Sequence, residues 1–402
     1  MSSIVVDCKI LKGEVVIPAS KSILHRYLIC SYLDDDYDAI IDVEKRVGVL
    51  SDDVRATRDC LLAIIDGEGR DEVIKLNCHE SGTTLRFMVP LVAAMGLAAD
   101  VIAEDSLVNR PMKAFTDELE EHGAVITDTM SEDGKSRTFH VEGKLEEGDY
   151  MIPGNISSQF ISGLMLASDK VDGDVWVCIE DELQSSAYVD MTEKVIKAFD
   201  MGRGDKVIEG DWSNGAMWVV ANDILGGKLK VKGLVADSIQ GDRQIINILN
   251  EYAIEESIFE MYGDEKHPRT VKFDVSDCPD LAPVIALRAV KSGLVTVIDN
   301  AGRLKKKECD RLQAINDILF MLGADIQIGA NEESLIIRGT NGKNIPGTDE
   351  AIDTYGDHRM VMLATMASLV TDQAVKVDGA EAISKSYPTF FEDIKKLGGL
   401  AE

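Results

Sequence analysis

The sequence predicts an α/β protein of repeated βα units arranged as two similar domains. Three observations point there. Six times, a run of Ser, Gly, Thr or Asp, often with a basic residue, stands where an apolar helix should begin. Strand-like stretches lie between these starts, and both halves share a signature in which a helix ends on Gly and a strand follows. Fixed recurrence of this kind is read as repeat architecture before any single motif is weighed.

In chain order, Glu14–Pro18 reads as a strand and Ser20-Lys21-Ser22-Ile23-Leu24-His25-Arg26 as the first helix start. Val73–Leu76 is a strand, and Glu80-Ser81-Gly82-Thr83-Thr84-Leu85-Arg86 opens the next helix. Arg110-Pro111-Met112 puts Pro where a first helical residue is expected. Glu121-His122-Gly123-Ala124-Val125 and Met321-Leu322-Gly323-Ala324-Asp325 are the two matching helix ends. Asn155-Ile156-Ser157-Ser158-Gln159-Phe160 and Gly210-Asp211-Trp212-Ser213 start two more helices. Gly226-Gly227 is the best candidate for a domain boundary, and Lys228–Val231 the strand after it. Asp277-Cys278-Pro279-Asp280-Leu281, the strand Leu294–Ile298, and Tyr355-Gly356-Asp357-His358-Arg359 ahead of apolar Met360–Ala364 complete the series.

Helix starts expose unbonded N–H groups at the positive end of the dipole, which makes them anion sites. Lys or Arg placed there strengthens the attraction, although the chain has 71 acidic against 42 basic residues and a net charge of −29. Cations gathered against that background suggest a small, highly charged anionic ligand. The acidity excludes non-specific nucleic-acid binding and attachment to anionic membranes. Seven scattered cysteines without a C-x-x-C pair exclude a zinc or disulfide framework and fit a reducing compartment. The N-terminus lacks the pattern of a signal or transit peptide, and no apolar stretch reaches membrane-span length, so a cytoplasmic protein is expected.

Familiar signatures fail on inspection. Gly134-Lys135-Ser136 has Thr129 where a P-loop needs its first Gly, and Gly202-Arg203-Gly204 has no third Gly in place. His79-Glu80 lacks the second His of a zinc helix, because position 83 is Thr. Lys307 and Arg311 share one helix face at i,i+4 within Lys305–Leu312, and Lys385 lies in a loop, Ser384–Pro388.

The surviving motifs occur in one order: Ser-Lys-Ser with a following Arg, Ser-Gly-Thr-Thr-x-Arg, Arg-Pro-Met, Ser-Ser-Gln-Phe, Pro-Asp, Lys-Glu-x-Asp-Arg-Leu, Asp-His-Arg-Met and Lys-Ser-Tyr-Pro. From about residue 8 to about residue 395 this set resembles the 5-enolpyruvylshikimate-3-phosphate synthase family of enolpyruvyl transferases. The resemblance implies two pseudo-symmetric domains, each of three βαβαββ units with helices inside (an inside-out α/β barrel). It divides the chain into residues 1–18 with 227–402, and residues 19–226. It also implies transfer of the enolpyruvyl group of phosphoenolpyruvate to the 5-hydroxyl of shikimate 3-phosphate, with release of phosphate, by addition and elimination through a tetrahedral intermediate. A monomer with no metal and no organic cofactor is expected.

By motif position, the resemblance gives shikimate 3-phosphate the contacts Lys21, Ser22, Arg26, Ser157, Ser158, Gln159, Tyr188, Asp280 and Lys307. Phosphoenolpyruvate would meet Lys21, Gly82, Arg110, Gln159, Arg311, Arg359 and Lys385. Lys21, Asp280 and Glu308 would be catalytic, with Asp280 the proton acceptor and Glu308 the proton donor; the division of protons among the three stays open, as does the role of His358. Two positions depart from the family pattern. Glu80 replaces an Asn, and an Asn expected near Arg303 is missing. A sister transferase acting on a UDP-sugar, and a non-enzymatic protein of the same repeats, are the competing readings; the first would favour Lys-Asn over Lys21-Ser22 and a Cys after Arg110 that is absent before Cys178.

Overall fold

The computed structural model describes residues 3–67, 69–70, 72–154, 156–181, 183, 185–262 and 269–402. Asn155, the first residue of the third helix-start motif, lies outside them. Contacts divide the chain into a first unit, Met1–Pro18 with Gly210–Glu402, and a second, Ala19–Glu209. The sequence placed the return at Gly226-Gly227, but this pair is the C-terminal turn of helix Trp212–Ile224. Gly226 and Gly227 have φ of 69° and 83°, and their N–H groups bond Asp223 and Asn222 carbonyls. The helix itself belongs to the first unit, where Trp218 meets Phe390 edge-on at 5.7 Å. Turn composition here marks a helix end.

In the second unit, strand Ile74–Asn77 pairs in parallel with Ala99–Glu104; Ser136–Gly143 and then Ala124–Met130 follow antiparallel. Helices Gly82–Met95 and Lys113–Glu121 connect the strands, giving the order βαβαββ. The latter helix begins two residues after Pro111, with Met112 as its N-cap. The first unit repeats the pattern with Thr270–Asp274, Val295–Asp299, Leu335–Arg338 and Asp325–Ile328, linked by helices Ala282–Lys291 and Arg311–Met321.

A further sheet in the first unit runs Ala351–Asp353, Val375–Asp378, Ile4–Asp7, Leu400–Ala401, with helices His358–Ala367 and Phe390–Lys396. Its fourth strand in pattern order comes from the N-terminus. Among the described residues two repeats keep only a parallel pair: Glu146–Pro153 with Asp172–Glu180, and Gly13–Val16 with Leu229–Lys232. The second unit is inserted in the latter, between its first strand and its helix. Residues 19–67 hold only helices, because the acidic run from Asp34 to Glu44 offers no alternating apolar pattern for a strand.

All six predicted helix starts open helices, the fifth through a short 3₁₀ turn, Pro279–Leu281. The helices are buried on every side: Ile23–Tyr32 without interruption in Lys21–Leu33, and all ten residues of His358–Ala367. A helix apolar all round belongs inside. The strands alternate instead, as in Ala99–Glu104, where every second residue is buried, so they form the outer layer. Gly123 ends the Lys113 helix at φ 96°, where a Cβ would lie 2.6 Å from the Lys144 carbonyl oxygen. Only Gly fits there. Among the described residues no helix is long and apolar enough to cross a membrane.

Candidate active site

Burying the helices also buries the charges at their starts, so each charge needs partners. In the second unit Arg26 is 2% exposed and bonded to neutral acceptors from three helices. Its Nε donates to Thr192 Oγ1 at 2.7 Å, Nη1 to the Ser22 carbonyl at 2.7 Å, and Nη2 to Ser162 Oγ at 3.1 Å and the Tyr188 carbonyl at 3.0 Å. Burial pulls this guanidinium down to about 10. Arg26 thus ties the Lys21, Ser158–Ala167 and Ser186–Asp200 helices together near their starts.

Lys21 pairs with Asp53 at 2.7 Å. From the Lys21 helix, His25 Nδ1 meets Thr57 Oγ1 at 2.6 Å; Thr57 meets Thr84 Oγ1 at 2.7 Å, and Thr84 donates to Ser81 Oγ at 2.7 Å. Burial, then the charges of Lys21 and Arg26, hold His25 neutral, well below the usual histidine range. This chain of polar groups locks the Ser81-Gly82 start to the Lys21 helix. Ser81 caps that start, and Ser157 caps the next by accepting from the Gln159 amide. Ser158 is buried just behind it.

Gly82 is where guanidiniums converge. A Cβ there would lie 2.7 Å from Arg110 Nη1 and 3.2 Å from Arg86 Nη1. Arg86 donates to Gln159 Oε1 at 2.5 Å, and Gln159 Nε2 donates to Thr83 Oγ1 at 2.8 Å. Glu80, the departure from the family pattern, accepts from Ser106 Oγ at 2.5 Å.

In the first unit the centre is Arg311, 2% exposed at the start of its helix. Nε bonds Asp357 Oδ2 at 2.6 Å, Nη1 bonds Asp280 Oδ1 at 2.8 Å, and Nη2 bonds Glu308 Oε2 at 2.6 Å and Asp357 Oδ1 at 3.3 Å. Asp280 also takes Arg359 Nη2 at 2.9 Å and Lys307 Nζ at 3.4 Å. Three cations and three carboxylates are packed within one cluster, and the carboxylates outweigh burial to raise Arg311 well above its usual range. Burial pushes Asp280 up, but Arg359, Lys307 and Arg311 overcome this and hold it well below the ordinary carboxylate range. Burial lowers Lys307.

Asp357 has a second task, accepting from the Arg359 N–H at 2.8 Å as the N-cap of the His358 helix. Arg359 Nη2 also donates to Ser213 Oγ at 2.8 Å, and Ser213 bonds Asp242. Burial, then the charge of Asp280, raises Asp242 to about 6. Lys385 donates to the Gly356 carbonyl at 3.0 Å, beside the same helix start, and His358 is 2% exposed within it.

The structure therefore collects the expected residues into one set per unit. Lys21, Ser22, Arg26, Gly82, Arg110, Ser157, Ser158, Gln159 and Tyr188 lie in the second; Asp280, Lys307, Glu308, Arg311, Arg359 and Lys385 lie in the first. Tyr188 meets Arg26 through its carbonyl. Sequence reasoning missed Asp53, Arg86, Asp242, Asp357 and Ser162 as members. Asp53 reads as an ordinary first-turn carboxylate, and Ser162 as a lone hydroxyl in an apolar helix. Asp357 and Arg86 stood inside quoted motifs, and that was their only signal.

The fold is that of the enolpyruvyl transferases. An EPSP synthase from Acinetobacter baumannii superposes with a TM-score of 0.69 at 22% identity, covering 100% of this chain and 99% of that one. The enolpyruvyl transferase NikO from Streptomyces tendae gives 0.61 at 15% identity, covering 100% and 98%. The family model for EPSP synthase (3-phosphoshikimate 1-carboxyvinyltransferase) matches residues 6–202 and 200–394. Relatives named 3-phosphoshikimate 1-carboxyvinyltransferase include one from Clostridium kluyveri, 37% identical over 424 aligned residues, and one from Clostridium acetobutylicum, 33% identical over 428; each alignment covers 97% of this chain and 96% of the relative. The chain belongs to the EPSP synthase family.

Proposed function

We propose that the protein transfers the enolpyruvyl group of phosphoenolpyruvate to the 5-hydroxyl of shikimate 3-phosphate and releases inorganic phosphate. Two phosphates and two carboxylates carry about five or six negative charges near neutral pH. Their repulsion is the barrier to association, and fixed positive groups offset it. The observation that carries the reading is the buried Asp280, kept ionised by Arg311, Arg359 and Lys307. Those cations keep the carboxylate ionised but weaken it as a base, and an anionic substrate that engages Arg311 and Arg359 relieves that hold, letting Asp280 take a hydroxyl proton.

In this reading the second unit handles phosphate. Gly82, Arg110 and Gln159 receive the phosphate of phosphoenolpyruvate; Ser157, Ser158, Gln159 and Ser22 receive the 3-phosphate and ring hydroxyls. Lys21 serves both substrates, exchanging Asp53 for them. Arg26, held by neutral acceptors, acts chiefly by fixing helix starts and adding charge, and Tyr188 lies beside it. The first unit handles the carboxylate of phosphoenolpyruvate through Arg311 and Arg359, with Lys385 nearby and Lys307 on shikimate 3-phosphate.

Because Arg311 is already committed to carboxylates, a substrate carboxylate takes the place of Glu308, its most exposed partner at 22%. Freed from Arg311, Glu308 takes up a proton from solvent and delivers it to the methylene carbon, while Asp280 accepts the proton of the attacking hydroxyl. The hydroxyl oxygen bonds to the central carbon of phosphoenolpyruvate, giving a tetrahedral intermediate. Glu308 then takes back a proton from the new methyl group as the bond to the phosphate oxygen breaks, and the proton held by Asp280 leaves with the phosphate.

Release of inorganic phosphate from purified protein supplied with both substrates tests this. Turnover requires both; no release with this pair, but release with phosphoenolpyruvate and a UDP-sugar as acceptor, transfers the assignment to the sister reaction. Cytoplasmic location and a monomeric state accompany the proposal, the latter checked by sedimentation.

A further inference from the structure

We infer that Arg86 is a positioning residue that fixes the Gln159 side-chain amide so that it offers N–H, and not oxygen, to an anionic substrate. The inference rests on the reading of the site given above and adds a residue to it. Arg86 lies one turn into the Gly82–Met95 helix, and its side chain runs back toward the helix start, as long helical side chains do. It is 2% exposed, its guanidinium carbon sits 5.3 Å from the centre of the Phe160 ring, and Phe160 stacks on Phe115 at 4.6 Å. The guanidinium is thus held by a rigid aromatic pair.

A guanidinium has only donors. Facing Arg86 Nη1 at 2.5 Å, the Gln159 amide must present its oxygen. The amide is planar, so its NH₂ is turned the other way. One of the two N–H groups bonds Thr83 Oγ1 at 2.8 Å. The second is thereby assigned to an acceptor outside this trio, on the partly exposed side of Gln159. A flipped amide would set NH₂ against guanidinium and turn its oxygen toward the substrate, two repulsive contacts in place of two attractive ones. Arg86 Nη1 and Arg110 Nη1 also flank the same face of Gly82, within 3.2 Å and 2.7 Å of where a Cβ would sit. The amide therefore turns its donors outward at the place where the helix dipole and two guanidiniums already favour an anion.

Steady-state phosphate release for Arg86→Met, Arg86→Lys, Gln159→Leu and the Arg86→Met/Gln159→Leu double variant tests the inference. Arg86→Met should raise KM for phosphoenolpyruvate about tenfold, with kcat changed less than about threefold, because uniform substrate binding is what is lost. Arg86→Lys, which keeps a donor facing the amide oxygen, should recover part of this. The double variant should fall short of the product of the single effects, since Arg86 acts through Gln159. Should Arg86→Met fail to fold by circular dichroism, the same cycle run with Arg86→Lys decides. Unchanged KM in the Arg86 variants, or effects that simply multiply, would overturn the inference while leaving the transferase reading intact. A wild-type protein without turnover would strike at that reading instead.

Discussion

Removing the Asp357 carboxylate should be the most damaging single change in the first unit. Asp357 is 0% exposed, bonds Arg311 through both its oxygens, at 2.6 Å and 3.3 Å, and caps the His358 helix at 2.8 Å. Breaking a buried ion pair from one side costs about 3–5 kcal/mol, because the partner charge stays buried. Loss of an N-cap costs a further ~1 kcal/mol. Asp357→Asn keeps a capping oxygen and loses the charge, so about 3 kcal/mol is expected; Asp357→Ala loses both, so about 4 kcal/mol. With Asp357 neutral, three cations face two carboxylates. Added phosphoenolpyruvate should then stabilise the variant more than it stabilises the wild type, by ligand linkage. Urea unfolding followed by far-UV circular dichroism, with and without the ligand, measures every term. Midpoints for both variants within about 0.5 kcal/mol of the wild type would refute the claim that Arg311 is held by this pair.

Glu308→Gln should lower turnover by about 10²–10⁴ with a near-native melting curve, since Glu308 lies at the exposed edge of the Arg311 cluster; turnover within threefold of wild type would remove it as proton donor. Asp242, raised to about 6, binds its proton more tightly folded than unfolded, near 3.9. Its contribution to stability therefore falls as pH rises from about 4 to 6 and is level above that. Asp280 runs the other way: its depressed value stabilises the fold above about 4 and is lost only as pH drops through it. Urea midpoints at pH 4.5, 5.5 and 7 should show this decline in the wild type and a flatter profile in Asp242→Asn, in which Ser213, Arg359, Asp280, Asp211 and Cys278 face a neutral amide. Equal slopes in both proteins would remove Asp242 as the source.

How far the sequence could be read depended on distance along the chain. Caps, helix starts and helix–Gly–strand turns are local, and all six starts, with Gly123 and Gly323 behind two of the helix ends, were legible. The N-terminal strand's place in the C-terminal sheet came only through family resemblance. Ion pairs depend on where remote segments meet. Arg311 finds Asp280 and Asp357 across 31 and 46 residues, and neither pairing leaves a spacing signal. The Gly226-Gly227 boundary failed because glycine at positive φ serves helix ends and linkers alike. The reduced sheets were invisible for another reason: a repeat that keeps its helix and loses strands leaves the helix start unchanged.

Incubating the protein with [2-¹³C]phosphoenolpyruvate and shikimate 3-phosphate, and following the label by ¹³C NMR, addresses the central claim most directly. The account predicts that the label moves into an enol ether at the 5-oxygen of the shikimate ring while inorganic phosphate accumulates in equal amount. Label remaining in phosphoenolpyruvate, or appearing as free pyruvate with shikimate 3-phosphate unconsumed, would contradict it.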